Sequence, residues 1–211
     1  GAIDENALLA LIDWHLEQTT DALVILGTTG EAATVTLEER ARIIQLTVQR
    51  VNNRVPVIVG TGAQSTVTSI MLTQQAAELG ADGALLVTPY YVKPTQQGLY
   101  EHFCAIAQQC AVPQILYNVP ARTGCDMATD TIIRLSKQPQ IVAIKEATGD
   151  LEKLKVLVQA NTGLSLLSGD DPTAMAFMRL GGHGVISVTA NVDPYTVKQM
   201  CDAILAQNES L

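Results

Sequence analysis

The chain has 211 residues, of which 47% are hydrophobic, and its 21 acidic and 13 basic residues give a formal net charge of −8. A chain of this length and composition can bury a sizeable core, so we expect one domain over residues 1–211 and no extensive disorder. The acidic balance, without any run of Lys and Arg, argues against nucleic acid and anionic membrane surfaces as partners.

Two long stretches without charged residues, 55–77 and 103–121, are interrupted by polar residues or prolines. Neither offers the roughly 20 predominantly apolar residues that a membrane span needs. The four cysteines form no Cys-x-x-Cys pair, and three histidines do not make a metal cluster. We therefore expect a soluble protein with free thiols, located in the reducing cytoplasm.

Short apolar runs alternate with segments of helical period along the chain. The first segment, Glu5–Glu17, carries a leucine and isoleucine stripe and is predicted to be a helix. Seven strands are predicted after it, at 22–26, 56–59, 83–87, 114–116, 141–144, 164–167 and 184–188.

Several predicted helices begin with recognisable capping residues. Thr36 and Glu39 have the spacing of a capping box. Asp171-Pro172 and Asp193-Pro194 each predict an N-cap aspartate followed by proline at the first helical position.

Alternating strands and helices predict a parallel α/β sheet, either a doubly wound open sheet or a (β/α)8 barrel. Polar residues follow nearly every predicted strand. In a barrel all of them meet at one face, whereas in an open sheet only those near a switch point do, so the barrel is favoured. Because seven strands are predicted and a helix precedes the first, we expect the barrel to lack its first strand in this chain.

Lys145 follows the apolar run 141–144, where a charged group is partly desolvated. An unperturbed lysine has a pKa of ~10.4, so only about one molecule in 2,500 carries a neutral amine at pH 7. Desolvation raises that fraction and favours Schiff-base catalysis. The alternatives are an ion pair with Glu146 or a side chain that reaches solvent at the rim, although adjacent strand residues point to opposite faces.

Five segments carry a family resemblance: GTTGE at 27–31, VTPYY at 87–91, YNVPARTG at 117–124, IKEATG at 144–149 and GHGVIS at 182–187. In order and spacing they closely resemble the 4-hydroxy-tetrahydrodipicolinate (dihydrodipicolinate) synthase family. That family belongs to the pyruvate-dependent class I aldolases, which are related to N-acetylneuraminate lyase. The resemblance extends from about Ile3 to the end of the chain.

The resemblance implies a (β/α)8 barrel enzyme, a lyase that condenses pyruvate with L-aspartate 4-semialdehyde in diaminopimelate and lysine biosynthesis. It implies no cofactor and no metal, because the imine itself acts as the electron sink. It also implies a homodimer that pairs into a homotetramer, and further C-terminal helices that we expect this chain to lack.

The resemblance also assigns catalytic roles. Lys145 would form the imine with pyruvate. Thr28, Tyr117 and Tyr91 would form a proton relay, in which Tyr91 is supplied by the neighbouring subunit. Taken singly, Thr28 and Tyr117 are equally compatible with ordinary turn and strand-end roles.

Four further residues are candidates for substrate binding. Thr29 and the backbone at Ile186 would hold the pyruvate carboxylate, and Gly169 follows a strand end at the same face. Arg122 would bind the carboxylate of the semialdehyde in a bidentate pair. Two other functions remain open: another lyase of the same superfamily, acting on N-acetylneuraminate or a keto-sugar acid, or a catalytically defective fragment.

Overall fold

The computed structural model describes residues 2–206. Its strands are parallel and are β1 (Leu23–Ile25), β2 (Val57–Gly60), β3 (Gly83–Val87), β4 (Gln114–Asn118), β5 (Ile141–Glu146), β6 (Ser165–Ser168) and β7 (Gly184–Val185). Each strand pairs with the next one in the chain, in the order β1-β2-β3-β4-β5-β6-β7. All seven predicted strands are therefore confirmed.

Helices cover the outer face of the sheet and connect its strands. The α-helices in the described part are α1 (Glu5–Glu17), α2 (Leu37–Val51), α3 (Thr66–Glu78), α4 (Gln96–Gln109), α5 (Pro120–Thr123), α6 (Thr129–Leu135), α7 (Leu151–Gln159), α8 (Asp171–Arg179) and α9 (Pro194–Leu205). Two short 3-10 helices span Ala32–Thr34 and Thr189–Asn191. None of the helices between residues 2 and 206 has the length and apolarity needed to cross a membrane.

The sheet is curled, because side chains from one of its faces meet in a single apolar cluster. That cluster joins Val24 of β1 with Leu85 of β3, Ala143 of β5 and Leu167 of β6. Two larger clusters pack the opposite face against the helices. The expected parallel α/β architecture is confirmed as a curled sheet, with β1 and β7 as its edges within residues 2–206.

Strands β4 and β5 extend two residues beyond their predicted ends. The register pairs Tyr117 with Lys145 and Asn118 with Glu146. Lys145 therefore lies inside a paired strand and not after its end. The polar residues Asn118 and Glu146 continue the ladder because their side chains hydrogen-bond each other on the outer face.

One of the predicted caps is wrong. The capping box of Thr36 and Glu39 and the cap of α9 by Asp193 are present. The N-cap of α8, however, is Asp170, whose carboxylate accepts from the Thr173 amide. Asp171 is the first residue of the helix, and its carboxylate binds the loop after β7.

Candidate active site

A cavity of about 1000 Å³ begins at the carboxyl ends of the strands and continues along the inner face of the sheet to the space beside α1 and α9. Seven of the eight predicted site residues line it: Thr28, Thr29, Tyr117, Arg122, Lys145, Gly169 and Ile186. Tyr91 does not line it. Folding therefore collects residues from five different strand ends around one space.

Lys145 is almost completely buried, with 8% of its surface exposed, and points to the inner face of β5. Burial lowers the pKa of its ammonium group to about 8. Its Nζ lies 4.3 Å from the centroid of the Tyr117 ring, on the neighbouring strand. At that pKa about one molecule in ten is the neutral amine at pH 7, which is the form that can attack a carbonyl.

Two charged side chains modify the pKa of Lys145 further. Asp171 raises it, and the guanidinium of Arg122 lowers it by a smaller amount. Asp171 also accepts hydrogen bonds from the amides of Val188 and Thr189, both at 2.9 Å. The sequence pattern predicts Asp171 only as a helix cap, although its position shortly after a strand end also places it at the face of the site.

Tyr117 is buried on the inner face of β4, and its hydroxyl makes no hydrogen bond to any of residues 2–206. The hydroxyl of Thr28, at the end of β1, likewise has no partner in the described part of the chain. Both residues line the cavity, and neither hydroxyl is engaged by a partner within residues 2–206.

The turn that carries Thr28 and Thr29 is shaped by backbone conformation. Leu26, just before it, has a left-handed φ of 54°, which is costly for a residue with a branched side chain. Its carbonyl oxygen packs so closely on Gly60 that a Cβ at Gly60 would lie 2.0 Å away. The turn continues into the 3-10 helix Ala32–Thr34 and not directly into α2.

Gly169 gives Lys145 the room that it occupies. A Cβ at this position would lie 2.8 Å from Cε of Lys145 and 2.7 Å from Cβ of Ala147. Both distances are shorter than ordinary contacts, so a larger residue would displace the lysine side chain.

Ile186 lies just beyond β7, and its amide donates to the carbonyl of Ser168 at 2.9 Å. That N–H is therefore already used within the sheet. The backbone carbonyl of Ile186 is the polar group that remains for a ligand. A carbonyl oxygen accepts hydrogen bonds and cannot donate one to a carboxylate, so the contact with the pyruvate carboxylate expected of this residue does not fit its backbone.

Arg122 lies in α5, directly after β4, and its side chain is exposed at the mouth of the cavity. Its guanidinium forms no ion pair with any carboxylate between residues 2 and 206. A free guanidinium at the mouth of a cavity is suited to bidentate binding of a carboxylate.

Tyr91 lies outside the cavity and is 89% exposed. Its backbone has a left-handed φ of 73°, and its amide donates to the carbonyl of Thr123 at 3.2 Å. This conformation directs the side chain of Tyr91 away from the chain that carries it.

Over residues 2–206, no group of three or more His, Cys, Asp or Glu side chains has the arrangement of a metal site.

The sheet is parallel and curled, and a cavity with a buried lysine lies at the carboxyl ends of its strands. Barrel-type α/β enzymes place their active sites at these strand ends, and this chain has the fold and the site of that class. The sequence profile of the Dihydrodipicolinate synthetase family matches residues 1–210. The chain belongs to that family.

Similar proteins carry one name. A 4-hydroxy-tetrahydrodipicolinate synthase of Coxiella burnetii is 55% identical over 211 residues, which are 100% of this chain and 72% of the relative. One of Stutzerimonas stutzeri is 54% identical over 207 residues, covering 98% of this chain and 71% of the relative.

Solved structures agree with these relatives. A dihydrodipicolinate synthase from Acinetobacter baumannii, complexed with pyruvate, matches 99% of this chain and 72% of its own with a TM-score of 0.97 and 50% identity. A monomeric dihydrodipicolinate synthase variant matches 99% of this chain and 71% of its own with a TM-score of 0.96 and 38% identity.

Proposed function

We propose that this chain condenses pyruvate with L-aspartate 4-semialdehyde to give 4-hydroxy-tetrahydrodipicolinate, through an imine on Lys145. The reaction makes it a lyase of the class I aldolase type, in lysine and diaminopimelate biosynthesis. The observation that carries the proposal is the buried Lys145, with its pKa lowered to about 8, beside Tyr117 in the cavity. Membership of the family and the names of its relatives support the choice of substrates.

The neutral amine of Lys145 attacks the ketone carbon of pyruvate, and loss of water leaves the imine. The protonated imine withdraws electrons, so the methyl group loses a proton and an enamine forms. The enamine carbon attacks the aldehyde, whose oxygen takes up a proton. The amine of the semialdehyde then attacks the imine carbon, closes the ring and releases Lys145.

Each proton transfer needs a group close to the imine. Tyr117 is the nearest candidate, because its ring lies beside Nζ of Lys145. A phenol with a pKa of ~10 is a poor base alone, so a chain of hydroxyls through Thr28 and Tyr91 is a suitable route. We propose that the exposed Tyr91 reaches this chain of hydroxyls in a second subunit of a homodimer, two of which form a tetramer.

Two carboxylates have to be bound. Thr29 offers a hydroxyl and backbone amides for the carboxylate of pyruvate, at a turn bounded by glycines. Arg122, at the mouth of the cavity, is our candidate for the carboxylate of the semialdehyde. Gly169 and Ile186 complete the wall next to Lys145.

For the architecture, we propose that residues 1–211 belong to a single (β/α)8 barrel domain. The support is the sequential parallel order of seven strands and their curl around one inner cluster. An eighth strand between β7 and β1 would close such a sheet.

A cytoplasmic location is proposed because the four cysteines, Cys104, Cys110, Cys125 and Cys201, are free thiols.

Borohydride trapping tests the central step. Pyruvate with borohydride should add one reduced pyruvyl group on the peptide that contains Lys145. Lys145→Ala should abolish the adduct, and Lys137→Ala, which removes an exposed lysine, should leave it unchanged. An adduct that persists in Lys145→Ala would overturn the proposal. Turnover with aspartate semialdehyde, compared with N-acetylneuraminate, tests the choice of substrate.

Mixed subunits test the role of Tyr91. A hybrid of Tyr91→Phe and Lys145→Ala subunits contains one site with both defects and one site with neither. Activity should therefore rise above that of both parents under exchange conditions. A hybrid that forms, as seen by mass spectrometry, and that remains as inactive as its parents would remove Tyr91 from the partner's site.

A further inference from the structure

A buried polar network lies behind the site, on the outer face of β4 and β5. The strands that present Tyr117 and Lys145 inward place Asn118 and Glu146 outward, because adjacent strand residues alternate in direction. The amide nitrogen of Asn118 donates to Oε2 of Glu146 at 2.9 Å. Both residues are almost completely shielded from solvent.

Asn118 also closes the segment that carries Arg122. Its Nδ2 donates to Oδ1 of Asp126 at 2.7 Å, and its Oδ1 accepts from the amide of Met127 at 2.9 Å. The chain between Asn118 and Met127 is therefore a loop tied at its base, and Arg122 lies in the middle of it.

Lys153 of α7 supplies the positive charge of the network. Its Nζ lies 2.6 Å from Oδ1 of Asp126 and 3.5 Å from Oε2 of Glu146. Two carboxylates thus share one ammonium group and one amide donor. None of these four polar residues faces the cavity that holds the candidate site.

We propose that Asn118, Asp126, Glu146 and Lys153 form a positioning network that fixes the Arg122 segment relative to β5, and thereby sets the affinity for the second, carboxylate-bearing substrate. The inference rests on the role proposed above for Arg122. Lys153 is a positioning residue, because it acts through Asp126 and not on the substrate.

The burial of the two carboxylates decides which part would move without Lys153. The Glu146 side chain is 1% exposed and is also held by the amide of Thr148, whereas the Asp126 side chain is 57% exposed. Without the ammonium group the two negative charges repel each other at close range. Asp126 would turn to solvent and lose its bond from Asn118, so that only the Met127 amide would still tie the base of the Arg122 loop to Asn118, and the loop would loosen.

The consequence is confined to one substrate. Tyr117 and Lys145 are held by the ladder between β4 and β5, which extends over five paired residues and does not depend on Lys153. Imine formation with pyruvate should therefore survive. Binding of the semialdehyde should weaken, since displacement of a binding group by about 1 Å costs up to ~100-fold.

Three variants of α7 test the inference in the full chain. Lys153→Met keeps most of the buried stem and removes the charge, and it should raise the KM for aspartate semialdehyde on the order of tenfold. Lys153→Arg keeps the ion pair and should restore most of the affinity. Lys155→Met breaks an exposed pair with Glu152 on the same helix and should change neither KM.

Asp126→Ala provides a second variant in case Lys153→Met does not fold. It detaches the loop from Lys153 at an exposed position, leaves Glu146 and Lys153 paired, and should raise the same KM.

Pyruvate is the internal control. The rate of borohydride trapping and the KM for pyruvate should match the unsubstituted chain in Lys153→Met and Asp126→Ala. An unchanged KM for the semialdehyde in a folded variant, or equal damage to both substrates, would overturn the inference. Failure of the unsubstituted chain to trap pyruvate would instead count against the proposed function.

Discussion

Replacing Lys145 with methionine should make the folded protein more stable at neutral pH. Burial lowers the pKa of the lysine from 10.5 to about 8. Each unit corresponds to 1.36 kcal/mol, so keeping the charge in the folded state costs about 3 kcal/mol at pH 7. Methionine has a similar shape without the charge, and it removes this cost while retaining most of the packing.

The pH dependence separates this electrostatic cost from a change in packing. Because the pKa is lower in the folded state, the unfolded chain binds more protons between about pH 8 and pH 10.5. The cost is therefore complete below pH 8 and fades as the pH rises towards 10.5. By the same linkage, the advantage of Lys145→Met should fall to about 1.4 kcal/mol at pH 9.5.

Chemical denaturation at pH 7 and pH 9.5, with and without the substitution, measures both quantities. Lys137→Met is the matched control, since it removes an exposed lysine and should leave the free energy of unfolding unchanged. A Lys145→Met protein that is less stable than the unsubstituted chain at pH 7 would refute the reasoning. So would a difference that does not vary with pH.

Three other outcomes are expected at the site. Arg122→Ala should leave the extent of pyruvate trapping intact but reduce kcat/KM for the semialdehyde, with a loss of transition-state stabilisation of about 2–4 kcal/mol. Equal damage to both half-reactions would mean that Arg122 only supports its loop. Gly169→Ala should slow imine formation on the order of 100-fold, because its Cβ would lie 2.8 Å from Cε of Lys145. Gly98→Ala, where the nearest atom is 3.4 Å away, is the control, and a normal trapping rate in Gly169→Ala would contradict the expected crowding. The trapping rate should rise with pH and level off above about 8, as the neutral amine becomes dominant. Arg122→Ala should move the midpoint of this profile upward, because the charge of Arg122 lowers the pKa of Lys145, and a rate that still rises at pH 10 would indicate an ordinary lysine.

The local periodicity of the sequence determined the number, order and approximate limits of the strands and helices. The helix Glu5–Glu17 and the strand Gly83–Val87 have the predicted bounds. Both depend on apolar patterns and turn residues within one short segment, which the sequence displays directly. The apolar run 141–144 likewise marks Lys145 as a lysine in a desolvated position, and the family resemblance assigns its expected role.

The tertiary structure decided where the charged side chains act. The sequence offers two adjacent carboxylates, Asp170 and Asp171, and either is suitable as a helix cap. Only the path of the chain after β7 assigns Asp171 to the loop at Val188 and leaves Asp170 as the cap.

Lys153 is a clearer example of a charged residue whose contacts the sequence alone does not determine. In the sequence it is one lysine on an amphipathic helix, 27 positions from Asp126. The fold buries it between two carboxylates, whereas Lys155, two residues later, remains at the surface. Lys145 could be singled out as a candidate from its own segment, but the extent to which its pKa falls and the network behind it depend on contacts between distant segments, because desolvation and ion pairing are set by everything that packs around a group.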